Sequence, residues 1–206
     1  MLKLNIEKSI GDFTLNKEWQ VDKGEIITLF GPSGSGKSIT IKAIAGLITP
    51  DNGWIELDGT FLFHKKLGIN LPPQERHVGY VPQHYALFPH LTVLANIAYG
   101  LKTMDKRTWK EVVDSLLESV NLQDKRKAYP HQLSGGEKQR AALIRAMAVK
   151  PKVLLLDEPF SAVDALLREK IREEVKEFLS KLNIPVVLVT HDPQDVEALG
   201  TTVANY

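Results

Sequence analysis

Eight residues, Gly31 to Ser38 (GPSGSGKS), constrain this chain more than any others: three glycines, then a lysine and a hydroxyl side by side. Before them Ile26 to Phe30 is a short apolar run with strand character. After them Ile39 to Leu47 reads as helix until Gly46 and Pro50 interrupt it. Strand, glycine turn and helix together form the layout of a phosphate-cradling loop. Gly31, Gly34 and Gly36 let the backbone curl so that amides converge on phosphate oxygens without Cβ clashes, through the stretch that holds Pro32, Ser33 and Ser35. Lys37 is placed to neutralise terminal phosphates, Ser38 to offer its hydroxyl to a divalent cation, and Ile39 to begin the helix.

Two later stretches carry matching chemistry. In VLLLDEP (Val153 to Pro159) four apolar residues form a strand that delivers Asp157 to the phosphate side as a Mg2+ carboxylate. Glu158 follows as general base for an in-line water. In LSGGEKQR (Leu133 to Arg140), Ser134, Gly135 and Gly136 supply a hydroxyl and exposed amides at a helix start, which is an anion site. The same residues also read as a plain N-cap, with Ser134 as cap and Glu137 as capping-box partner.

Composition bounds the class. At 206 residues one domain is the default, and a net charge of +1 gives no field that points to nucleic acid or anionic lipid. The absence of cysteine excludes a disulfide framework and a thiol nucleophile. No apolar run reaches bilayer-spanning length, so membrane attachment is expected through another protein. His64, His77, His84, His90 and His131 have no metal-ligand spacing and are read as surface or packing residues; Trp19, Trp54 and Trp109 are read as structural.

Alternation of Leu2, Leu4 and Ile6 with polar residues predicts a half-buried strand, with Asp12 to Gln20 as its antiparallel partner. Val153 to Leu156 and Val186 to Val189 read as parallel strands ending in polar chemistry. Helical patterns dominate from about His84 to Lys150, including Thr108 to Val120 and Gly136 to Val149. Asp164 to Leu182 is amphipathic, with Leu167, Ile171, Val175, Phe178 and Leu182 on one stripe.

In this order, and with the glutamine of VPQ (Gln83) and the histidine of VTHD (His191), these motifs resemble the nucleotide-binding subunit of an ABC transporter from Met1 to about Leu199. The resemblance implies an α/β fold: a P-loop NTPase (RecA-like) core sheet, an N-terminal antiparallel β-subdomain and an inserted helical subdomain. It divides a single domain, 1–206, into a core with β-subdomain (1–83 and 151–206) and a helical subdomain (84–150). It implies an ATPase using ATP and Mg2+, with Glu158, His191 and Gln83 catalytic and Ser38, Gln83 and Asp157 at the metal. Residues 31–39, Ser134 to Gly136 and Asp164, in SAVD where the family commonly has SALD, would hold nucleotide.

The implied partners are a second copy, bound head-to-tail with two ATP molecules in the interface, and integral membrane permease subunits contacted near Gln83 to Leu94. A periplasmic or extracellular binding protein would act indirectly, and the location is peripheral, at the cytoplasmic face of the cell membrane. Tyr85 and Phe88 are the expected partly exposed contacts for the permease. Of the subfamilies, IGDFTLN, LPPQERHVGYVPQ and YALFPHLTVLANIAYGL most resemble oxyanion importers, particularly of molybdate or tungstate, with sulfate and polyamine or sugar importers less close. A catalytically silent nucleotide-binding regulator and a soluble ABC ATPase acting on nucleic acid or ribosomes are the other readings. Two features depart from the family. Relatives continue beyond Tyr206, so the chain is expected to be truncated. Many members carry an adenine-stacking aromatic where this sequence has Ile10, which predicts weak base selectivity; Phe13 is the alternative, although along a regular strand it would face away from Ile10.

Overall fold

The computed structural model describes residues 1–101 and 105–206. Strands β1 (Leu2–Ile10) and β2 (Phe13–Val21) form an antiparallel hairpin, with Leu2 opposite Val21 and Ile10 opposite Phe13. Leu2, Leu4 and Ile6 are fully buried. Each contributes about 1.5–3 kcal/mol by burial, and a one-residue slip would expose all three, so the alternation fixes the register.

β3 (Ile26–Phe30) enters the glycine loop and α1 (Lys37–Ala45) leaves it. β4 (Asn52–Leu57), β5 (Thr60–His64) and β6 (Ile69–Asn70) then extend the hairpin into an antiparallel sheet of order β2-β1-β4-β5-β6. Alternation does not announce these three strands. The Asp58-Gly59 turn does: both residues sit at positive φ (49° and 80°), as a tight hairpin requires.

After β7 (Val78–Val81), helices α2 (Val93–Ala98), α3 (Lys106–Ser119) and α4 (Gly135–Ala148) are inserted before β8 (Val153–Asp157). α5 (Ala165–Ser180), β9 (Val186–Thr190), α6 (Pro193–Leu199) and β10 (Thr202–Asn205) complete a parallel sheet of order β10-β3-β9-β8-β7. Every residue of β8 and β9 is buried, as parallel strands covered on both faces must be. The strand order sets the carboxyl ends of β3, β9, β8 and β7 side by side, which brings Gly31, His191, Asp157 and Gln83 to one edge.

Three apolar clusters hold these layers. One lies around the antiparallel sheet, α1 and one face of the parallel sheet, with Ile6, Ile44, Ile55 and Leu155. The second covers the other face, where Leu154 and Leu188 meet Leu143, Ile171 and Val175. The third sits within the inserted helices, among Val93, Ile97, Val113, Leu117 and Ile144. In α5 the expected stripe is shifted. Leu167 is 47% exposed, the helix ends before Leu182, and Leu179 is buried instead. The first turn of α5 stands clear of the core, so apolar periodicity there does not report burial. Arg76, almost wholly buried, donates to the carbonyls of Ala43 and Ile44 and so satisfies the last turn of α1, the helix that carries the glycine loop.

Candidate functional site

The glycine loop closes on its own lysine. Gly34 (φ 84°) and Gly36 (φ 97°) take the left-handed conformation, and α1 begins at Lys37 with no side-chain cap. Its first amides are therefore free to meet an anion. Lys37 Nζ donates to the carbonyls of Gly31 and Pro32, both at 2.7 Å, and approaches Ser35 Oγ at 3.4 Å. Burial lowers the ammonium pKa, while Glu158 and Asp157 act against that shift by stabilising the charge. Beside it lies a cleft of about 310 Å3, lined by Ser33, Gly34, Gly36, Lys37, Ser38, Ile39, Gln83 and Glu158.

Asp157 is 6% exposed at the end of β8. Ser38 Oγ donates to its Oδ1 at 3.1 Å and the Tyr80 hydroxyl to its Oδ2 at 3.2 Å. Burial raises its carboxyl pKa, and the two hydroxyl donors only partly offset that cost. A buried carboxylate beside a serine hydroxyl is a hard oxygen donor set that fits Mg2+, which binds few protein groups and keeps phosphate and water oxygens.

Glu158 gathers the remaining predicted catalytic groups. Gln83 Nε2 donates to its Oε2 at 3.1 Å, and His191 Nδ1 pairs with its Oε1 at 3.0 Å. With the carboxylate ionised that pairing places the imidazole proton on Nδ1, because a carboxylate only accepts. Glu158 also has φ 47°, a strained conformation for a residue with a side chain, costing on the order of 1–3 kcal/mol. The strain is held by its amide on Val189 O (2.9 Å) and by Ser161 Oγ on its own carbonyl (2.9 Å). Geometry at this position is thus determined by its neighbours rather than by local preference.

The LSGGEKQR segment lies elsewhere. Ser134 caps α4, accepting from Glu137 N at 3.3 Å while its own amide donates to Glu137 Oε2 at 2.8 Å, so the capping box forms. Gly135 faces the backbone of Ala162 and Val163, and a Cβ on Gly136 would overlap the Ile171 side chain. Ser134 and Asp164 are both exposed, and neither they nor Gly135 and Gly136 line the cleft beside Lys37. One chain therefore brings together residues 31–39, Gln83, Asp157, Glu158 and His191, and leaves Ser134 to Gly136 and Asp164 on another surface.

Three residues need a different account from the sequence reading. Tyr85 is not a partly exposed contact: it is 5% exposed, its hydroxyl reaches Pro159 O at 3.4 Å, and burial pushes its pKa up to about 12. Left-handed backbone at Tyr85 and Ala86, held by Arg145 on both carbonyls, turns the ring inward. The exposed aromatic nearby is Tyr99, with its ring centroid 4.5 Å from that of Phe88. Phe13 does not face away from Ile10, because directly paired residues of a hairpin share a face. Its ring lies 3.2–3.3 Å from where a Gly36 Cβ would stand, so Phe13 is the aromatic at the glycine loop, and Ile10 stays 46% exposed. Tyr80 belongs to no motif; its only signal is a hydroxyl-bearing ring in the short strand that ends two residues before Gln83.

The sequence matches the family described as ABC transporter over residues 15–161. It is 43% identical over 203 residues to the sulfate/thiosulfate import ATP-binding protein CysA of Gloeobacter violaceus, covering 97% of this chain and 57% of that one. To the molybdate/tungstate import ATP-binding protein WtpC of Archaeoglobus fulgidus it is 39% identical over 203 residues, covering 98% and 82%. The fold superposes on the ATP-binding cassette MJ0796, solved as a dimer in a post-hydrolysis state bound to ADP and Pi. The TM-score is 0.80 and the identity 30%, over 100% of this chain and 94% of that chain. The chain spans little more than half the length of several CysA relatives. By the extent of these matches and by the loop, carboxylates and capped helix that carry them, the chain belongs to the ABC transporter family, as an ATP-binding domain.

Proposed function

We propose that the chain binds ATP with Mg2+ and hydrolyses it to power an importer. The convergence of Gln83 and His191 on Glu158, beside the Lys37 cleft, supports this reading most directly. In it Lys37 and the loop amides hold the terminal phosphates, while Glu158 accepts a proton from the attacking water and Gln83 and His191 orient that carboxylate. When bound, Mg2+ would be held by Ser38 and Asp157 with Gln83 close by, neutralising phosphate charge. Phe13 is the side chain best placed to meet the base.

Ser134 to Gly136 and Asp164 act on nucleotide held by the P-loop of a second copy. Residues 1–83 and 151–206 serve as core and 84–150 as the helical subdomain, whose surface near Gln83 to Leu94, with Phe88 and Tyr99, receives the permease. The chain works at the cytoplasmic face of the membrane; among the described residues no helix is long and apolar enough to cross it. The cargo is a tetrahedral oxyanion, in keeping with relatives named for sulfate/thiosulfate and for molybdate/tungstate import, and we assign molybdate or tungstate on the likeness of IGDFTLN, LPPQERHVGYVPQ and YALFPHLTVLANIAYGL alone. With its permease and binding protein, hydrolysis should respond to molybdate before sulfate.

Glu158→Gln tests the chemistry. Because binding needs no base and hydrolysis does, ATP should still bind while turnover falls by a factor on the order of 100. Undiminished turnover removes Glu158 from this role.

A further inference from the structure

Tyr80 has no task in the chemistry proposed for this site, yet among the described residues its hydroxyl and that of Ser38 both donate to Asp157. Tyr80 lies on β7, in register with Leu155 of β8, and reaches along the neighbouring strand to the carboxylate two residues further on. The ring is half-buried against the apolar cluster around α1, so its rotamer is fixed by packing. Facing a carboxylate oxygen, which only accepts, the phenolic hydroxyl is the donor of this bond.

Asp157 is consequently gripped from two sides. Ser38 comes from α1 and takes Oδ1; Tyr80 comes from β7 and takes Oδ2. A carboxylate turns easily about its last bond, and a second donor on the far oxygen removes that freedom. Three residues after Tyr80, Gln83 donates to Glu158. The same short segment thus holds both consecutive carboxylates, one by a hydroxyl and one by an amide.

We propose that Tyr80 is a positioning residue for the divalent cation: its hydroxyl locks Oδ2 of Asp157 so that Oδ1, beside Ser38, is presented to the cleft. This inference rests on the Mg·ATP reading of the same site. Removing the hydroxyl leaves the carboxylate and the loop in place but frees the carboxylate to turn, which weakens the cation more than the nucleotide. Supporting partners of metal ligands are worth on the order of 10- to 100-fold in metal affinity, and one donor on one ligand falls at the lower end, about tenfold.

The test uses the full chain, its Tyr80→Phe variant, and Mn2+ as a paramagnetic probe titrated in the presence of ADP. The expected result is about tenfold weaker Mn2+ binding in the variant, with ADP affinity in EDTA unchanged. In an Asp157→Asn background, Tyr80→Phe should cause no further loss, which a merely structural role would not produce. Equal Mn2+ affinity in parent and variant overturns the inference while leaving the nucleotide reading intact. An additive loss in the Asp157→Asn background also overturns it. A parent chain whose Mn2+ binding ignores ADP overturns the Mg·ATP reading, and this inference with it.

Discussion

The two glycine-rich turns of this molecule look alike in sequence and differ in why they need glycine. In the P-loop, Gly34 and Gly36 are left-handed, and around Gly34 there is open space where a side chain would sit. Backbone shape is the constraint at Gly34, and at Gly36 it is joined by the Leu15 side chain, whereas at Gly31 the constraint is the Tyr206 carbonyl 2.5 Å from where a Cβ would stand. In LSGGEKQR neither Gly135 nor Gly136 has positive φ; the room for a side chain is filled by Ala162 and by Ile171. Helix approach is the constraint there. The helix starts differ as well. α1 has no side-chain cap and no acidic residue in its first turn, whereas Ser134 and Glu137 satisfy each other at α4. The first turn is built around free amides beside its own carboxylates, and the second is a finished helix end exposed on another surface.

The difference can be broken by alanine. Gly36→Ala meets both penalties, a left-handed backbone and the Leu15 side chain 2.8 Å from its new Cβ. The backbone penalty alone is about 1–2 kcal/mol, so nucleotide affinity should fall on the order of tenfold or more. Gly34→Ala meets only the backbone penalty and should lose less, which a nucleotide titration of both variants will measure. Equal losses would mean that crowding at Gly36 plays no part.

At the second turn the expected damage is to the fold. Gly136→Ala should cost about 1–3 kcal/mol of unfolding free energy as an overpacked contact. Ile171→Val removes the terminal methyl it strikes and should restore most of that loss in denaturant melts. A Gly136→Ala chain that is fully stable would show that the glycine is kept for its ligand and not for packing.

The smallest effect sharpens the same contrast through pH. The Ser134 amide, first, and the Lys125 ammonium hold the Glu137 carboxyl below its ordinary pKa. A depressed folded-state pKa contributes stability that is fully present above the unfolded value, about 4.3, and is lost as pH falls through the folded one. Glu137→Gln should therefore cost about 0.5 kcal/mol at neutral pH, and the difference should close below about pH 4. A difference independent of pH would assign it to hydrogen bonding alone.

Much of this was legible in the sequence because local chemistry and fold agree there. β3 matches its apolar run residue for residue, and the strand ends that carry Asp157, Glu158 and His191 follow from short buried runs. Periodicity failed where a surface helix turn is apolar without being covered, as at Leu167, and where glycine interrupts alternation, as at Gly53 in β4. The Tyr80 contact joins residues 77 apart in the chain, and the orientation of Phe13 depends on hairpin pairing rather than on alternation along one strand. Motifs name the residues that touch ligand; the residues that aim them are set by tertiary placement.

The central claim is that the cleft around Lys37 is completed by Ser134 of a second copy. Mixing full-length Lys37→Ala chains with full-length Ser134→Arg chains tests it most directly, with heterodimer formation verified by native mass spectrometry in the same sample. Each mutant alone should be nearly inactive, and heterodimers, holding one site with both Lys37 and Ser134 intact, should hydrolyse ATP well above the sum of the two. Activity equal to that sum, in a sample rich in heterodimer, would contradict a site shared between chains.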